Sequence, residues 1–359
     1  MNVLISGASV GGTVLAYWLR ERGARVTLVE RAPAPRGGGQ AIDVRGAALT
    51  VAERMGVLEA AEALRTEMLG MSVVDGDGDE VMRSEESTFS GGRLDSPDIE
   101  IMREDLMGLL LGAVEGVEIL WGDSITSLDD DGSAVHVRFE RNAPRTFDRV
   151  VGADGLHSNT RGLLFGPEEQ FVEHLGMYLG LFRAENFLGL DRWQVWHREG
   201  AAGFGLYPAG DGELVVNMGF ESGPIAYDHR DTGQQKRLVA AACSELRWIA
   251  PKLLEAMWAA GDFYFDVMAQ VHLPAWHKGR VALVGDAAYC ASVKSGQGTS
   301  LAMVGAYVLA EEMAGGDGFG RYQERMREFV TLNQALAKEN PAGPAPEESV
   351  RRAADAITL

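Results

Sequence analysis

The stretches Asn2-Val-Leu-Ile-Ser6-Gly7-Ala-Ser-Val-Gly-Gly12 and Arg25-Val-Thr-Leu-Val-Glu30 decide how this chain begins to fold. Residues 2–6 form an apolar run that reads as a buried strand. Thr13 to Arg22 then carries apolar residues at helical spacing until Gly23 stops it, and Arg25 to Glu30 reads as a second, parallel strand. The result is a βαβ unit with the crossover length of a right-handed connection. Gly7 stands where the chain must bend sharply, and Gly12 lets the helix pack closely on the strand while its first amides face a pyrophosphate. Ser9 occupies the middle glycine position of this pattern and is small enough to keep the backbone within reach of a phosphate, so Gly7, Ser9, Gly11 and Gly12 form the first candidate set. A glycine turn after a strand also has purely structural causes. Glu30 shifts the balance, because an acid at the tip of the second strand, about 20 residues on, accepts from a ribose hydroxyl and disfavours a 2′-phosphate. With Arg31 beside it, this end of the site expects an adenosine dinucleotide.

Length and composition bound the rest. A chain of 359 residues with 46% hydrophobic content predicts two domains, or one with a large insertion. A net charge of −19 repels phosphate backbones and anionic head groups, so no nucleic-acid or membrane partner is expected. Cys243 and Cys290 share neither metal-type nor redox spacing and read as reduced thiols. No basic segment precedes the first strand, and no run approaches the roughly 18 apolar residues of a membrane span. A cytoplasmic location is expected.

The periodicity along the chain predicts an α/β fold: a Rossmann-like domain with an inserted β-sheet domain. Gly46 to Ala63 and Arg103 to Leu111 read as helices, and Asp75-Gly-Asp-Gly78 as a hairpin turn. Val135 to Phe139 belongs to a β-meander. Residues 173–271 alternate as aromatic strands, including Trp193 to His197, Phe204 to Tyr207 and Leu214 to Phe220, with Asp211-Gly212 as a turn. The expected division is a discontinuous nucleotide-binding domain at 1–70, 98–172 and 272–318, and a substrate domain at 71–97 and 173–271. A helical segment follows at 319–359, interrupted by the Pro-rich stretch Pro341 to Pro346 and closed by a packed helix over Glu347 to Ile357.

Two further constellations carry chemistry. Val150-Val-Gly-Ala-Asp154-Gly-Leu-His-Ser158-Asn-Thr-Arg161 is a buried strand ending in a carboxylate, which either contacts a cofactor or caps the helix that follows. Arg280 to Gly285 is another buried strand, with Asp286 at its end placed for a ribityl hydroxyl. Gly296-Gln-Gly298-Thr299 opens a helix running to about Met313, whose amides suit a phosphate or a flavin carbonyl. A helix N-terminus aimed at a flavin ring favours the negative charge that reduction places there. Together with the first turn, these stretches imply FAD rather than a nicotinamide alone.

In this order, the three stretches resemble the fingerprints of FAD-dependent aromatic hydroxylases of the para-hydroxybenzoate hydroxylase type, the group A flavoprotein monooxygenases, which include tetracycline-inactivating members. The likeness runs along essentially the whole chain, and the FAD motifs are its specific part. It implies that Arg103, in Met-Arg-Glu-Asp-Leu106, contacts the flavin nucleotide and that Arg45 lies in the loop near the isoalloxazine. It also implies a reaction in which NADH or NADPH reduces FAD, O2 forms a C4a-hydroperoxide, and oxygen passes to an electron-rich aromatic, phenolic or polyketide-like ring. No acid–base triad is required, and no catalytic residue is assigned. Alternate strand positions suggest Trp196, Met218 and Phe220 as walls of the substrate pocket. His197, Tyr207 and His272 either orient a phenol or are structural. Many members carry His after Gly-Asp-Ala-Ala and prolines a few residues later, whereas this chain has Tyr289, Ser292 and Val293, residues expected to flank the flavin. That departure leaves a non-catalytic flavin-binding protein as one alternative and a flavin oxidase or dehydrogenase as another. A halogenase is disfavoured by the missing Trp-x-Trp-x-Ile-Pro stretch.

Overall fold

The computed structural model describes every residue except Asp211, Asp317, Pro341 and Ala342. The expected turn at Asp211 and the start of the Pro-rich stretch therefore lie outside the described residues. A six-stranded sheet runs in the order His277–Lys278, Val281–Leu283, Arg149–Gly152, Asn2–Ser6, Arg25–Glu30 and Glu118–Trp121. All neighbours are parallel except the short pair at the His277 edge. Its central strands are apolar without alternation because both faces are covered. Val3, Ile5 and Leu28 face the helices Val10–Glu21 and Gly298–Ala314. Leu4, Val29 and Val150 face a three-stranded meander of Ile125–Asp130, Val135–Phe139 and Arg145–Phe147.

The helix expected over Gly46 to Ala63 is two helices, Ala47–Arg54 and Leu58–Glu62, separated where Gly56 takes a φ of +73°. The chain ends in Phe319–Glu339 and Glu347–Ala354, the second shorter than expected. That last helix is packed: Ala353 and Ala354 are buried, and Asn333 Nδ2 donates to the Ala353 carbonyl at 3.0 Å. It rests on the turn after Arg45, where a Cβ on Gly46 would come 2.6 Å from the Ala354 carbonyl oxygen.

A seven-stranded sheet takes its strands from three stretches of chain. Its order is Tyr264–Val271, Val172–Glu185, Glu213–Glu221, Ala202–Gly210, Trp193–Glu199, Gly70–Val74 and Glu80–Ser84. The helices Thr232–Ala242 and Ala250–Ala259 cover one face, where Phe204, Leu206, Val216, Met218 and Phe220 meet Val239, Leu253 and Met257. On the opposite face Leu179, Leu181, Tyr207 and Val215 pack against Met68 and Met102.

This two-sided packing corrects the expected substrate walls. Trp196 pairs with Gly205, and Gly205 with Asn217, so Trp196 shares a face with Asn217 and is one residue out of phase with Met218. The Trp196 ring lies over Gly205, where a Cβ would come 2.3 Å from it. Met218 and Phe220 point into the helix-covered core, with Phe220 stacked on Tyr178 at 5.5 Å between centroids. Met218→Ala is expected to cost about 2–5 kcal/mol of unfolding free energy, as deletion of a buried side chain does. Urea denaturation reads that cost, while the apparent affinity for a substrate stays unchanged.

Candidate active site

Four parallel strands release their carboxyl ends along one edge, and each carries a residue singled out above. Gly7 follows Asn2–Ser6, Glu30 closes Arg25–Glu30, Asp154 follows Arg149–Gly152, and Asp286 follows Val281–Leu283. Arg25–Glu30 lies on one side of Asn2–Ser6 and Arg149–Gly152 on the other, which opens a crevice at this switch point. The first turn closes tightly there: Gly7 has φ +105°, and a Cβ on Gly12 would come 1.9 Å from the Gly7 carbonyl oxygen. A Cβ on Gly11 would meet only ordinary contacts, Ala302 at 3.7 Å and Val284 at 3.9 Å. Ser9 starts the helix Val10–Glu21 without capping it. Glu30 braces the turn, accepting from the Ala8 amide at 2.9 Å and the Ala32 amide at 2.8 Å. Arg31 is exposed beside it.

Asp154 braces the first turn of the helix Asn159–Phe165, whose N-cap is Ser158. Its Oδ2 accepts from the Thr160 amide at 2.9 Å and the Thr160 hydroxyl at 2.7 Å, and its Oδ1 accepts from the Ser158 hydroxyl at 2.5 Å. Arg161, wholly buried, donates to the carbonyls of Leu156 at 2.6 Å and Ala287 at 3.1 Å. It thereby ties this turn to the one holding Asp286. Asp286 keeps part of its surface accessible yet sits deep, and burial pushes its carboxyl up to about 6, with Asp266 adding to the effect. That combination is what a carboxyl lining an interior crevice shows.

The far end of the crevice is built around Gly296 and Gly298. Gly296 has φ +64°, and the helix Gly298–Ala314 begins without a side-chain cap. Gln297 precedes it, fully buried, with neither amide atom hydrogen-bonded in the protein. Thr299 is half-buried in the first turn of that helix. Arg45 reaches this point from the far side: its amide donates to Ser300 Oγ at 2.9 Å, and its guanidinium pairs with Asp43 at 2.9 Å and Asp98 at 3.6 Å. Burial pushes Asp43 up to about 7, with Glu100 and Asp98 adding to the effect and Arg45 opposing it. Arg103 begins the helix Arg103–Ala113 against Gly39, and its guanidinium has no hydrogen-bond partner among the described residues. Burial and the nearby Arg36 lower its pKa.

Other expected participants are structural. Tyr207 accepts from the Ala41 amide at 3.0 Å, His197 binds the Val74 carbonyl at 3.0 Å, and His272 pairs with Glu173 at 3.0 Å. Tyr289 does not flank the crevice with its side chain. Its ring turns into the core beside Trp276, its hydroxyl lies 2.9 Å from that of Tyr322, and Gly305 leaves the space it fills. Ser292 does stay near, buried at φ +75° with its hydroxyl unpartnered, while Val293 is exposed. Gln297 and Asp43 escaped the sequence reading; the only signal for Gln297 was its place between two glycines.

Residues 1–316 match the FAD binding domain family. The chain belongs to this family of FAD-dependent monooxygenases. It is 36% identical over 340 residues to a flavin-dependent monooxygenase of Legionella longbeachae, covering 93% of this chain and 87% of that protein. An uncharacterised protein of Mycobacterium tuberculosis is 50% identical over 367 residues, covering 100% of this chain and 99% of that one. The crystal structure of the tetracycline destructase Tet(51) superposes with a TM-score of 0.89 at 31% identity, over 100% of this chain and 98% of that one. The monooxygenase thus binds FAD, and its unsatisfied groups suit that cofactor. Two helix N-termini lack caps, the Arg103 guanidinium lacks an acceptor, and the Gln297 amide lacks any partner at the far end.

The raised Asp43 pKa has a consequence for stability. Folding holds its proton more tightly than the unfolded chain does, so this contribution is full below about pH 4 and is lost as pH rises toward about 7. The unfolding free energy of the apo monooxygenase minus that of its Asp43→Asn variant should fall between pH 5 and pH 8 in urea titrations. A difference that is flat or rises would contradict the shift.

Proposed function

We propose that this monooxygenase takes electrons from NADH or NADPH and inserts one oxygen atom of O2 into an aromatic, phenolic or polyketide-like small molecule. The observation that carries this reading is a set of buried groups with no partner among the described residues at one end of a nucleotide crevice: the Gln297 side-chain amide and the Nε of Arg45, beside the uncapped start of Gly298–Ala314. The 31% identity to a tetracycline destructase over the whole chain supports a polycyclic phenol as substrate class.

FAD, when bound, supplies the redox and oxygen-transfer chemistry. The chain's own residues bind, orient and exclude water. Gly7, Ser9, Gly11 and Gly12 offer amides to a pyrophosphate, Glu30 offers its carboxylate to a ribose, and Arg31 and Arg103 offer positive charge. Asp154 acts indirectly by holding its turn, and Asp286 offers a carboxyl to the cofactor's middle. Gly296, Gly298 and Thr299 bring the positive end of a long helix toward the ring, where it opposes anionic charge. Trp196 and Asn217, on the sheet face away from the covering helices, replace Met218 and Phe220 as candidate walls of the substrate pocket. Residues 1–70, 98–172 and 272–318 serve the cofactor, and 71–97 and 173–271 the substrate. Two buried free thiols, Cys243 and Cys290, suit the cytoplasm.

The test is anaerobic mixing of the flavin-loaded protein with NADH or NADPH, with and without a panel of phenols and tetracyclines. One nicotinamide should bleach the flavin, at least tenfold faster when a substrate is present, and admitting O2 should yield a product heavier by one oxygen atom. A flavin reduced directly by the organic substrate would favour an oxidase or dehydrogenase. A flavin that no reductant in the panel bleaches would overturn the reading.

A further inference from the structure

A group of ionisable side chains stands next to the turn that carries Asp154. His157 lies in the turn after Asp154, Glu168 in the short helix Glu168–Gln170, and His229 in the segment between Glu213–Glu221 and Thr232–Ala242. One ligand atom from each lies within 4.8 Å of the others. His157 Nδ1 faces Glu168 at 3.0 Å, while its Nε2 donates to Asp266 Oδ1 at 2.9 Å. Asp266 is itself held, accepting from the Tyr264 hydroxyl at 2.6 Å. The His229 ring lies 4.1 Å from that of His157 and 4.5 Å from that of Tyr227, and no hydrogen bond engages it among the described residues. The Tyr227 hydroxyl is buried with no hydrogen-bond partner among the described residues.

We propose that His157, Glu168 and His229 form a binding site for one divalent transition ion of the zinc class, joining the nucleotide-binding part of the chain to the seven-stranded sheet. The donor set is two imidazoles and a carboxylate, which suits zinc and its first-row neighbours rather than magnesium or calcium. Asp266 supplies what a ligating histidine requires on its other nitrogen, a carboxylate that fixes tautomer and ring direction. Tetrahedral ligands on bonds of about 2.0–2.1 Å stand roughly 3.3 Å apart. The present spread therefore needs a closure of about 1.5 Å, which the exposed His229 side chain provides by rotation. The remaining position takes a water, for which the unpartnered Tyr227 hydroxyl is a neighbour.

Both ring nitrogens of His157 face carboxylates, Nδ1 facing Glu168 at 3.0 Å and Nε2 facing Asp266 at 2.9 Å, so an incoming cation meets an acidic surround. The ion takes the place on Nδ1 that faces Glu168, and any proton there leaves to solvent. Arg161, 3.4 Å from the other oxygen of Glu168, packs against the ligands, and its two backbone carbonyl acceptors hold it in place.

The experiment is calorimetric titration of Zn2+ into chelator-stripped, flavin-loaded protein, with Co2+ as a visible-absorption probe of the ligand field. One equivalent is expected, with a Co2+ spectrum of tetrahedral type. His229→Ala should weaken binding at least tenfold. It removes an exposed side chain that makes no hydrogen bond, so the fold is expected to persist, as circular dichroism would check. Asp266→Asn should weaken binding about 10–100-fold through the ligand it orients. His272→Ala, removing the histidine paired with Glu173, should change nothing. Binding that survives both His229→Ala and His157→Gln, or no saturable binding at all, would overturn the site. Flavin absorbance recorded in the same cell keeps this outcome separate from the proposed reaction, which needs no ion here.

Discussion

The turn between Gly7 and Gly12 is the constraint from which the cofactor edge follows. A side chain at Gly12 would begin 1.9 Å from the Gly7 carbonyl oxygen, so helix and strand meet at backbone contact. Only that approach brings the first amides of Val10–Glu21 level with the strand ends. The neighbouring strands, paired in parallel on both sides, then deliver Glu30, Asp154 and Asp286 to the same edge. The helix Gly298–Ala314 packs against this unit, Ala302 lying 3.7 Å from where a Gly11 side chain would begin. One close contact thus sets the position of two helix ends.

Electrostatics at the far end of the crevice are organised by burial rather than by exposed ion pairs. Arg45 and Asp43 are both nearly inaccessible, and a buried pair repays its desolvation only when the geometry is good and the remaining polar atoms are satisfied. Here they are not all satisfied: Asp43 Oδ1, Arg45 Nε and both amide atoms of Gln297 lack protein partners. Unpaired groups of this kind are costly inside a protein. They converge on one end of the crevice, beside Gly296.

The seven-stranded sheet separates two duties by face. One side is closed by helices and aromatic stacking around Tyr178, Phe220 and Phe265; the other meets the nucleotide-binding part through Tyr207 and Val215. The His157 cluster sits where these two parts meet, and Arg161 couples the Asp154 turn to the Asp286 turn through the Ala287 carbonyl. The nucleotide-binding part and the seven-stranded sheet are therefore linked through hydrogen bonds as well as through apolar packing.

The sequence by itself determined what depends on neighbours along the chain. The strand–turn–helix order at 2–22, the acid at residue 30, the glycines at 285, 296 and 298, and the family likeness these motifs carry were all legible, because each is a spacing within one βαβ unit or one turn. Only the tertiary structure decided questions of partner and face. Asp154 offers the same carboxylate to a cofactor or to Thr160, and the choice rests on how the following helix turns back. Tyr289 is a tyrosine beside a flavin motif until Gly305, on another helix, leaves a space for its hydroxyl. Met218 and Trp196 both sit on aromatic strands, and no local signal tells which side each faces. Side chains alternate with a period of two, so a one-residue difference in pairing with a distant strand sends one into the helix-covered core and the other to the opposite face of the sheet.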